Sequence, residues 1–171
     1  MIIILLGYMG SGKSVVGKIL AGELSCRFTD LDAFIEQHEK KSIPALFREK
    51  GEVYFRRKET FYLTELIENE ENIVISLGGG TPCYGANMER ILKHTSHVFY
   101  LKASVDTLVQ RLEEERQQRP LLETVKKAAL PEFIRKHLFE RSHFYLKAPY
   151  VIAVDGLQVE EIVSEIARKL A

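Results

Sequence analysis

The strongest chemical signal in the sequence is the glycine-rich segment at residues 7–14. It reads Gly-Tyr-Met-Gly-Ser-Gly-Lys-Ser and fits the phosphate-binding pattern G-x-x-x-x-G-K-[ST] in full. Its glycines let successive backbone N–H groups turn towards phosphate oxygens, and the helix that follows adds a partial positive charge. Lys13 can reach the outer phosphates of a nucleotide, and the Ser14 hydroxyl can ligate Mg²⁺. We therefore predict a nucleotide-binding loop.

Two other classes of nucleotide-binding protein fit the sequence poorly. A dinucleotide fingerprint requires glycine or alanine where Val15 stands, and it has no use for the lysine and serine. A regulatory GTPase needs an Asn-Lys-x-Asp guanine reader and an Asp-x-x-Gly switch, and neither string occurs in the chain. The loop therefore favours a protein that uses a nucleoside triphosphate in another way.

Two carboxylates follow the first predicted helix, in the segment Phe-Thr-Asp-Leu-Asp at residues 28–32. If residues 27–32 end a strand, Asp30 and Asp32 point to the same side, because side chains alternate along a strand. Ligands of open α/β sheets lie at the carboxyl ends of strands, so we expect both carboxylates to face the terminal phosphate. One would hold Mg²⁺ through water, and the other would accept a proton from a substrate hydroxyl. The alternative is a solvated turn with an aspartate that caps a helix.

Three arginines and a run of glycines complete the candidate site. Arg56 lies in a charged segment at residues 51–59, where Glu59 can orient its planar guanidinium, although a salt-bridged helix surface is the simpler interpretation. Three glycines at residues 78–80 leave an apolar strand, which indicates close approach of a ligand or another segment rather than a plain loop. With Arg119 and Arg141, the set suits a cleft that binds a nucleoside triphosphate and an organic acid.

Buried-strand patterns and amphipathic-helix patterns alternate between these residues. Continuous aliphatic runs predict strands at residues 2–6, 73–77, 97–101 and 151–154. Apolar residues at helical spacing predict helices that begin near Val105 and Val159. Strands that alternate with helices indicate a parallel sheet covered on both faces. The length of 171 residues favours one domain over residues 1–171.

One polar stretch stands apart from this alternation. Residues 113–119 read Glu-Glu-Glu-Arg-Gln-Gln-Arg without an apolar side chain, and Pro120 follows. The stretch is either a solvated helix end or a lid that closes over a substrate, and a site elsewhere in the chain favours the lid.

Composition narrows the partners and the compartment. The chain has 24 basic and 24 acidic side chains, and its zero net charge gives no reason to expect nucleic acid or an anionic membrane as partner. Cys26 and Cys83 are too few for a disulfide framework, and the five histidines lack the spacing of zinc ligands. The apolar N-terminal run stops at Gly7, too early for a signal peptide or a membrane span. We expect a cytoplasmic protein that is a monomer.

Taken in order, the motifs resemble those of the shikimate kinase family. After the phosphate loop come Asp30-x-Asp32, Phe55-Arg56-x-x-Glu59, Gly78-Gly79-Gly80, Arg119-Pro120-Leu121-Leu122 and Arg141-x-x-x-Tyr145. The resemblance covers residues 3–155, which is nearly the whole chain. Many families share the phosphate loop, whereas the other motifs together are specific. The chain departs from the family at His143, where proline is common.

The resemblance implies a fold and a reaction. The fold is the three-layer P-loop kinase fold, an α/β architecture with a five-stranded parallel sheet flanked by helices. A helical substrate-binding region would span about residues 31–62, and a lid would span about residues 111–125. The reaction is ATP-dependent phosphorylation of the 3-hydroxyl of shikimate, a step towards chorismate and the aromatic amino acids, with one Mg²⁺ per subunit.

The resemblance also implies residue roles. The shikimate contacts would be Asp32, Arg56, Gly79, Gly80 and Arg141, with the two arginines on the carboxylate and Asp32 on the hydroxyls. The ATP contacts would be Gly10, Ser11, Gly12, Lys13, Ser14, Val15, Arg111 and Arg119. Arg111 would stack on adenine, and Arg116 competes for that role. Ser14 would hold Mg²⁺ directly and Asp30 through water. The catalytic residues would be Asp32, Lys13 and Arg119, the last reaching over the phosphates from the lid.

Two rival functions stay open at this point. A gluconate kinase or a nucleoside-monophosphate kinase would share the fold. A nucleotide-binding regulatory module without catalysis is the second rival, but the intact Lys13, Ser14, Asp30 and Asp32 argue against it, because a degenerate site should show gaps.

Overall fold

The computed structural model of the chain describes residues 1–115, 122 and 124–171. Within these residues, five strands alternate with eight α-helices. The strands are β1 (Ile2–Leu6), β2 (Arg27–Asp30), β3 (Ile73–Ser76), β4 (Val98–Lys102) and β5 (Tyr150–Ala153). The helices are α1 (Lys13–Glu23), α2 (Leu31–Glu39), α3 (Ile43–Lys50), α4 (Glu52–Asn69), α5 (Asn87–His94), α6 (Val105–Glu114), α7 (Leu130–Tyr145) and α8 (Val159–Leu170). None of the described helices is long and apolar enough to cross a membrane.

The five strands form one parallel sheet in the order β2-β3-β1-β4-β5. The central strand β1 is buried on both faces, because its alternate side chains enter two different apolar clusters. Ile3 and Leu5 pack with residues of α1, α6 and α8, whereas Ile4 and Leu6 pack with residues of α2, α4 and α5. The sheet therefore lies between two helical layers, and the predicted α/β architecture with a five-stranded parallel sheet is confirmed.

The strands predicted from aliphatic runs are confirmed, with ends that differ by at most one residue. The strand predicted at residues 73–77 ends at Ser76, the one predicted at 97–101 is Val98–Lys102, and the one predicted at 151–154 is Tyr150–Ala153. The helices predicted near Val105 and Val159 begin at those residues. Aliphatic runs thus locate the strands well, but the ends depend on the register with neighbouring strands.

The segment at residues 27–32 differs from the expectation that both aspartates end one strand. Strand β2 stops at Asp30, and Asp32 lies in the first turn of α2. Asp30 is the N-cap of this helix, and its Oδ1 accepts the backbone N–H of Ala33 at 3.2 Å. Aspartate is strongly favoured at this position because it satisfies an N–H that has no partner within the helix. The two carboxylates therefore reach the same edge of the sheet from a helix cap and a helix turn.

The sheet register brings three chain segments to that edge. Ser76 pairs with Leu5 on one side and with Asp30 on the other, so β1, β2 and β3 end side by side. The backbone N–H of Leu77 also donates to Leu5 O at 3.0 Å. The phosphate loop, the two aspartates and the three glycines consequently leave the sheet together.

The structure describes the whole predicted substrate-binding region but only part of the predicted lid. Residues 31–62, predicted to bind the substrate, comprise α2, α3 and the first part of α4. The predicted lid at residues 111–125 begins in the last turn of α6, but residues 116–121 and 123 lie outside the described residues, and with them Arg116 and Arg119. The lid stays a prediction.

Helix α1 packs closely on the sheet at Gly17, which yields a test of the packing. A methyl group on Gly17 would lie 2.5 Å from a ring carbon of Phe28 and 3.2 Å from Leu5 Cδ1. We expect Gly17→Ala to lower the free energy of unfolding by ~1–3 kcal/mol, because overpacking outweighs the gain in helix propensity. Gly22 is the control on the same helix, since nothing lies within 4 Å of the equivalent methyl. Gly22→Ala should raise the stability by ~0.5–1 kcal/mol in urea unfolding. Equal effects of both substitutions would contradict this packing.

Candidate active site

Residues 7–14 adopt the backbone conformation that a phosphate loop requires. Gly10 and Gly12 have φ angles of 82° and 95°, which residues with a side chain rarely adopt. Gly12 is the N-cap of α1, so the first N–H groups of that helix have no helical partners and are available to an anion. The Ser11 hydroxyl is buried, and it has no hydrogen-bond partner within the described part of the chain. A phosphate oxygen in the loop would satisfy it.

The Lys13 ammonium is held over this loop. Its Nζ donates to the carbonyl oxygens of Gly7 and Tyr8, both at 2.9 Å, and only 9% of the residue is exposed. Its charge also lowers the pKa of Asp32, against other effects that raise it. Lys13 is thus positioned between the phosphate loop and the carboxylate.

Ser14 and Asp30 form a pair of oxygen donors at the start of α1. The Ser14 hydroxyl donates to Asp30 Oδ2 at 2.7 Å. Hydroxyl and carboxylate oxygens are the ligands that Mg²⁺ prefers, and Mg²⁺ usually keeps several waters and binds substrate phosphates rather than an all-protein cage. The described residues contain no group of three or more His, Cys, Asp or Glu that could hold a metal. The pair fits a metal that binds together with a nucleotide.

Each of the three glycines after β3 makes room for one charged side chain. A methyl group added to Gly78 would lie 2.8 Å from Asp32 Oδ1. One added to Gly79 would lie 3.3 Å from Arg141 Nη1, and one added to Gly80 would lie 2.7 Å from Arg56 Nη2. The first and last distances are shorter than the contacts that Cβ atoms make in proteins, so the neighbouring side chain would have to move. A side chain at these positions would displace the groups that the sequence predicts to bind the substrate.

Arg56 is oriented by a buried polar network. Its Nη1 donates to Glu59 Oε1 at 2.8 Å, and the side chain is only 16% exposed. The other oxygen of Glu59 accepts the Thr81 hydroxyl at 2.6 Å, and Asn87 Nδ2 donates to Thr81 O at 3.0 Å. Glu59, Thr81 and Asn87 are each at most 1% exposed. The network ties the glycine segment to α4 and α5 and confirms that Glu59 orients Arg56.

Helix α7 brings Arg141 to the same segment. Tyr145, one turn further along the helix, is buried and donates its hydroxyl to Gly79 O at 2.6 Å. Burial is the main reason that the pKa of Tyr145 is raised, so its hydroxyl stays protonated as a donor. This bond anchors α7 beside the segment that Arg141 adjoins.

Asp32 has the electrostatics of a group that can accept a proton near neutral pH. Burial raises the pKa of this carboxyl from 3.8 to about 6, and repulsion by Asp30 and Glu59 adds to the rise. The ammonium of Lys13 acts in the opposite direction. A carboxyl group with a pKa close to the operating pH is well suited to general base catalysis.

The cleft has a volume of about 620 Å³ and unites most of the predicted residues. Those that line it are Gly10, Ser11, Gly12, Lys13, Ser14, Val15, Asp30, Asp32, Gly78, Gly79 and Arg111. Gly80, Arg56 and Arg141 adjoin this set. Arg111 donates to Gly10 O at 3.1 Å, so its observed partner is the phosphate loop.

The sequence reasoning missed one wall of the cleft. Leu157, Gln158, Val159 and Ile162 lie across from the start of α1, where Val15 is 53% exposed. In the sequence these residues are an ordinary loop and the start of an amphipathic helix, so nothing distinguishes them from core positions. Thr81 and Asn87 were missed for a similar reason, because burial of a polar side chain is not visible in a sequence.

In this cleft a carboxylate that can take up a proton faces a phosphate loop, and two arginines lie at the edge. The fold and the cleft therefore define a P-loop kinase for a small acceptor. The protein-family model for shikimate kinase matches residues 9–171. The chain therefore belongs to the shikimate kinase family.

Individual relatives agree with this assignment. A shikimate kinase of Flavobacterium psychrophilum is 42% identical over 168 residues, which are 98% of this chain and 98% of the relative. The crystal structure of the shikimate kinase from Bacteroides thetaiotaomicron has a TM-score of 0.93 and 38% identity, covering 99% of this chain and 98% of that one. The structure of the Acinetobacter baumannii enzyme in complex with shikimate has a TM-score of 0.89 and 32% identity, covering 99% of this chain and 92% of that one.

The raised pKa of Asp32 predicts a pH-dependent effect on stability. Between pH 3.8 and about 6 the native protein binds more protons than the unfolded chain at this group, so the contribution of Asp32 to the free energy of unfolding falls as the pH rises. Asp32→Asn removes the charge and should raise the stability at pH 8 by ~1–3 kcal/mol. The gain should be ~1 kcal/mol smaller at pH 5, where most of the native population is protonated at Asp32. Urea unfolding at both pH values measures the difference.

Asp106 supplies the matched control for this prediction. It is the second residue of α6, as Asp32 is of α2, but it is exposed. Asp106→Asn should lower the stability slightly, because it removes a negative charge from a helix N-terminus. A gain from Asp32→Asn that is the same at pH 5 and pH 8 would contradict the raised pKa.

Proposed function

We propose that this chain transfers the γ-phosphoryl group of ATP to the 3-hydroxyl of shikimate, giving shikimate 3-phosphate and ADP on the way to chorismate. The observation that carries this proposal is the approach of Asp32, Arg56 and Arg141 to three consecutive glycines beside the phosphate loop. Shikimate has a carboxylate and ring hydroxyls within one small molecule. It therefore needs cationic groups and a hydroxyl-binding carboxylate at short range, and this part of the cleft supplies both.

The two arginines are proposed to hold the shikimate carboxylate. A planar guanidinium can bind a carboxylate through two parallel hydrogen bonds, and Glu59 holds Arg56 in a fixed orientation. Gly79 and Gly80 leave room for Arg141 and Arg56 beside the backbone, and their own backbone would complete this substrate subsite. Asp32 would then bind the ring hydroxyls on the side that faces the phosphate loop.

The transfer step follows from the charges around the phosphate loop. Lys13, the N–H groups of α1 and the Ser11 hydroxyl would offset the negative charge on the phosphates. Asp32 would orient the 3-hydroxyl and take its proton as the new P–O bond forms and the bond to ADP breaks. Ser14 and Asp30 would hold one Mg²⁺ per subunit, which supplies further positive charge to the phosphates. Because the transition state is loose, positioning matters more than the strength of the base.

Further assignments concern the lid, the nucleotide contacts and the setting of the protein. Arg119 and a lid would close over the phosphates and exclude water, which limits hydrolysis of ATP. Arg111 and Val15 would contact the nucleotide on the side of α8. We also propose a cytoplasmic monomer with no nucleic-acid or membrane partner, for which the zero net charge and the two free cysteines are the support.

ADP release from Mg-ATP tests the proposed reaction. Shikimate should stimulate release strongly, whereas quinate, gluconate and AMP should not. Asp32→Asn should lower the turnover with shikimate by at least ~100-fold, the usual scale for loss of a general base. Asp106→Asn should leave the turnover unchanged. Stimulation by gluconate or AMP instead would reassign the acceptor, and binding of ATP without turnover on any acceptor would favour a regulatory module.

Arg56→Lys tests the acid subsite separately from the nucleotide subsite. Lysine keeps the charge but loses the paired geometry, so the KM for shikimate should rise by ~10-fold or more while the KM for ATP stays within about 2-fold. The neighbouring Arg57 is exposed and provides the control Arg57→Lys, which should change neither constant. Equal effects of Arg56→Lys on both KM values would mean that the acid binds elsewhere.

A further inference from the structure

Helix α7 carries three polar side chains at a spacing of four residues, which places them on one face of the helix. They are His137, Arg141 and Tyr145. The two outer residues are both bound to other segments. Tyr145 donates to Gly79 O at 2.6 Å, and His137 Nδ1 lies 2.8 Å from the hydroxyl of Tyr8 in the phosphate loop. Arg141 is therefore flanked, one helical turn away on each side, by attachments of α7 to the two segments that build the cleft.

Tyr8 contacts Arg141 as well as His137. The Arg141 guanidinium carbon lies 5.7 Å from the centre of the Tyr8 ring, within the range of a cation–π interaction. Tyr8 is only 1% exposed, and its carbonyl oxygen accepts a hydrogen bond from Lys13. One residue thus contacts the proposed phosphate-binding lysine through its backbone and the proposed acid-binding arginine through its ring.

We propose that Tyr8 and His137 form a positioning pair that holds Arg141 in the orientation needed to bind the substrate carboxylate. The pair touches no substrate and acts only through Arg141, so the proposal rests on the role given to Arg141 under the proposed function. It makes the second residue of the phosphate loop, whose side chain is buried and bound to α7, a determinant of affinity for the acid.

The direction of the hydrogen bond follows from the electrostatics. Burial raises the pKa of Tyr8 to about 12, so its hydroxyl stays protonated and donates. Burial, followed by the charge of Arg141, lowers the pKa of His137, so the neutral imidazole offers Nδ1 as acceptor. The other charged groups that act on the ring are on α7 itself: Lys136 lowers the pKa and Glu140 raises it. From the phosphate loop, the titratable group that faces the ring is Tyr8.

Loss of the acceptor leaves a buried hydroxyl without a partner. The hydroxyl then forms another hydrogen bond or moves towards water. Either movement changes the position of the Tyr8 ring, against which the Arg141 guanidinium packs. A net hydrogen-bond contribution of about 1 kcal/mol corresponds to a change of ~5-fold in an equilibrium constant. We therefore expect a rise of ~3–10-fold in the KM for shikimate.

Three single variants, one double variant and one control test the pair by steady-state kinetics. His137→Leu removes the acceptor, whereas His137→Asn places an amide oxygen near the position of Nδ1 and should restore it. Tyr8→Phe keeps the ring but removes the donor. The control is His143→Leu on the exposed side of the same helix.

The expected result is a rise of ~3–10-fold in the KM for shikimate with His137→Leu and with Tyr8→Phe, while the KM for ATP stays within about 2-fold. His137→Asn and His143→Leu should match the wild type. The double variant Tyr8→Phe/His137→Leu should be no worse than either single one, since the two residues act as one unit.

Several outcomes would overturn the proposal. One is an equal rise in both KM values, which would indicate a general loosening of the phosphate loop. Another is a failure of His137→Asn to restore the KM in a folded protein. If His137→Leu does not fold, the Tyr8→Phe variant decides the matter: an unchanged KM for shikimate in that variant would overturn the proposal. Arg141→Ala separates this proposal from the one it rests on: if that variant leaves the KM for shikimate unchanged, the assignment of Arg141 itself is wrong.

Discussion

The active site depends on how closely one stretch of backbone approaches three charged side chains. Strand β3 lies directly beside β1, so the glycines that follow it pass next to the phosphate loop. Asp32, Arg141 and Arg56 occupy the space that side chains at residues 78, 79 and 80 would fill. The groups proposed to bind the acid and those proposed to bind phosphate can therefore lie within the length of one small substrate. The absence of three side chains, rather than any unusual backbone angle, makes this proximity possible.

Bringing these charges together has an energetic consequence. Asp32 is partly withdrawn from water and faces other carboxylates, which raises its pKa and makes its ionised form unfavourable. The same environment makes the group useful as a base near neutral pH. Arg56 avoids a comparable penalty because Glu59, itself bound to Thr81, supplies a fixed counter-charge. The carboxylate proposed as the base therefore carries an unfavourable charge, whereas Arg56, proposed to bind the acid, is paired with a fixed counter-charge.

Helix α7 connects the two halves of the cleft. Its attachments through His137 to the phosphate loop and through Tyr145 to the glycine segment lie on either side of Arg141. A long, flexible arginine side chain loses much conformational freedom when it binds a ligand. In the proposed role of Arg141, holding its helix at two points and its guanidinium against an aromatic ring would reduce that loss before the substrate arrives. The departure from the family at His143 lies on the exposed side of this helix and leaves the attachments intact.

The sequence by itself determined the phosphate loop, the alternation of strands and helices, and the family, because these depend on local patterns of glycine, charge and aliphatic residues. It also indicated that the glycines after β3 mark a close approach. Only the tertiary structure decided what they approach, since the register of β2, β3 and β1 brings residues far apart in the chain together. It moved Asp32 from a strand to the first turn of α2, where capping by Asp30 outweighs extension of the strand. It also revealed Thr81, Asn87, His137 and the wall around Leu157, whose roles depend on burial and on partners that no local pattern specifies.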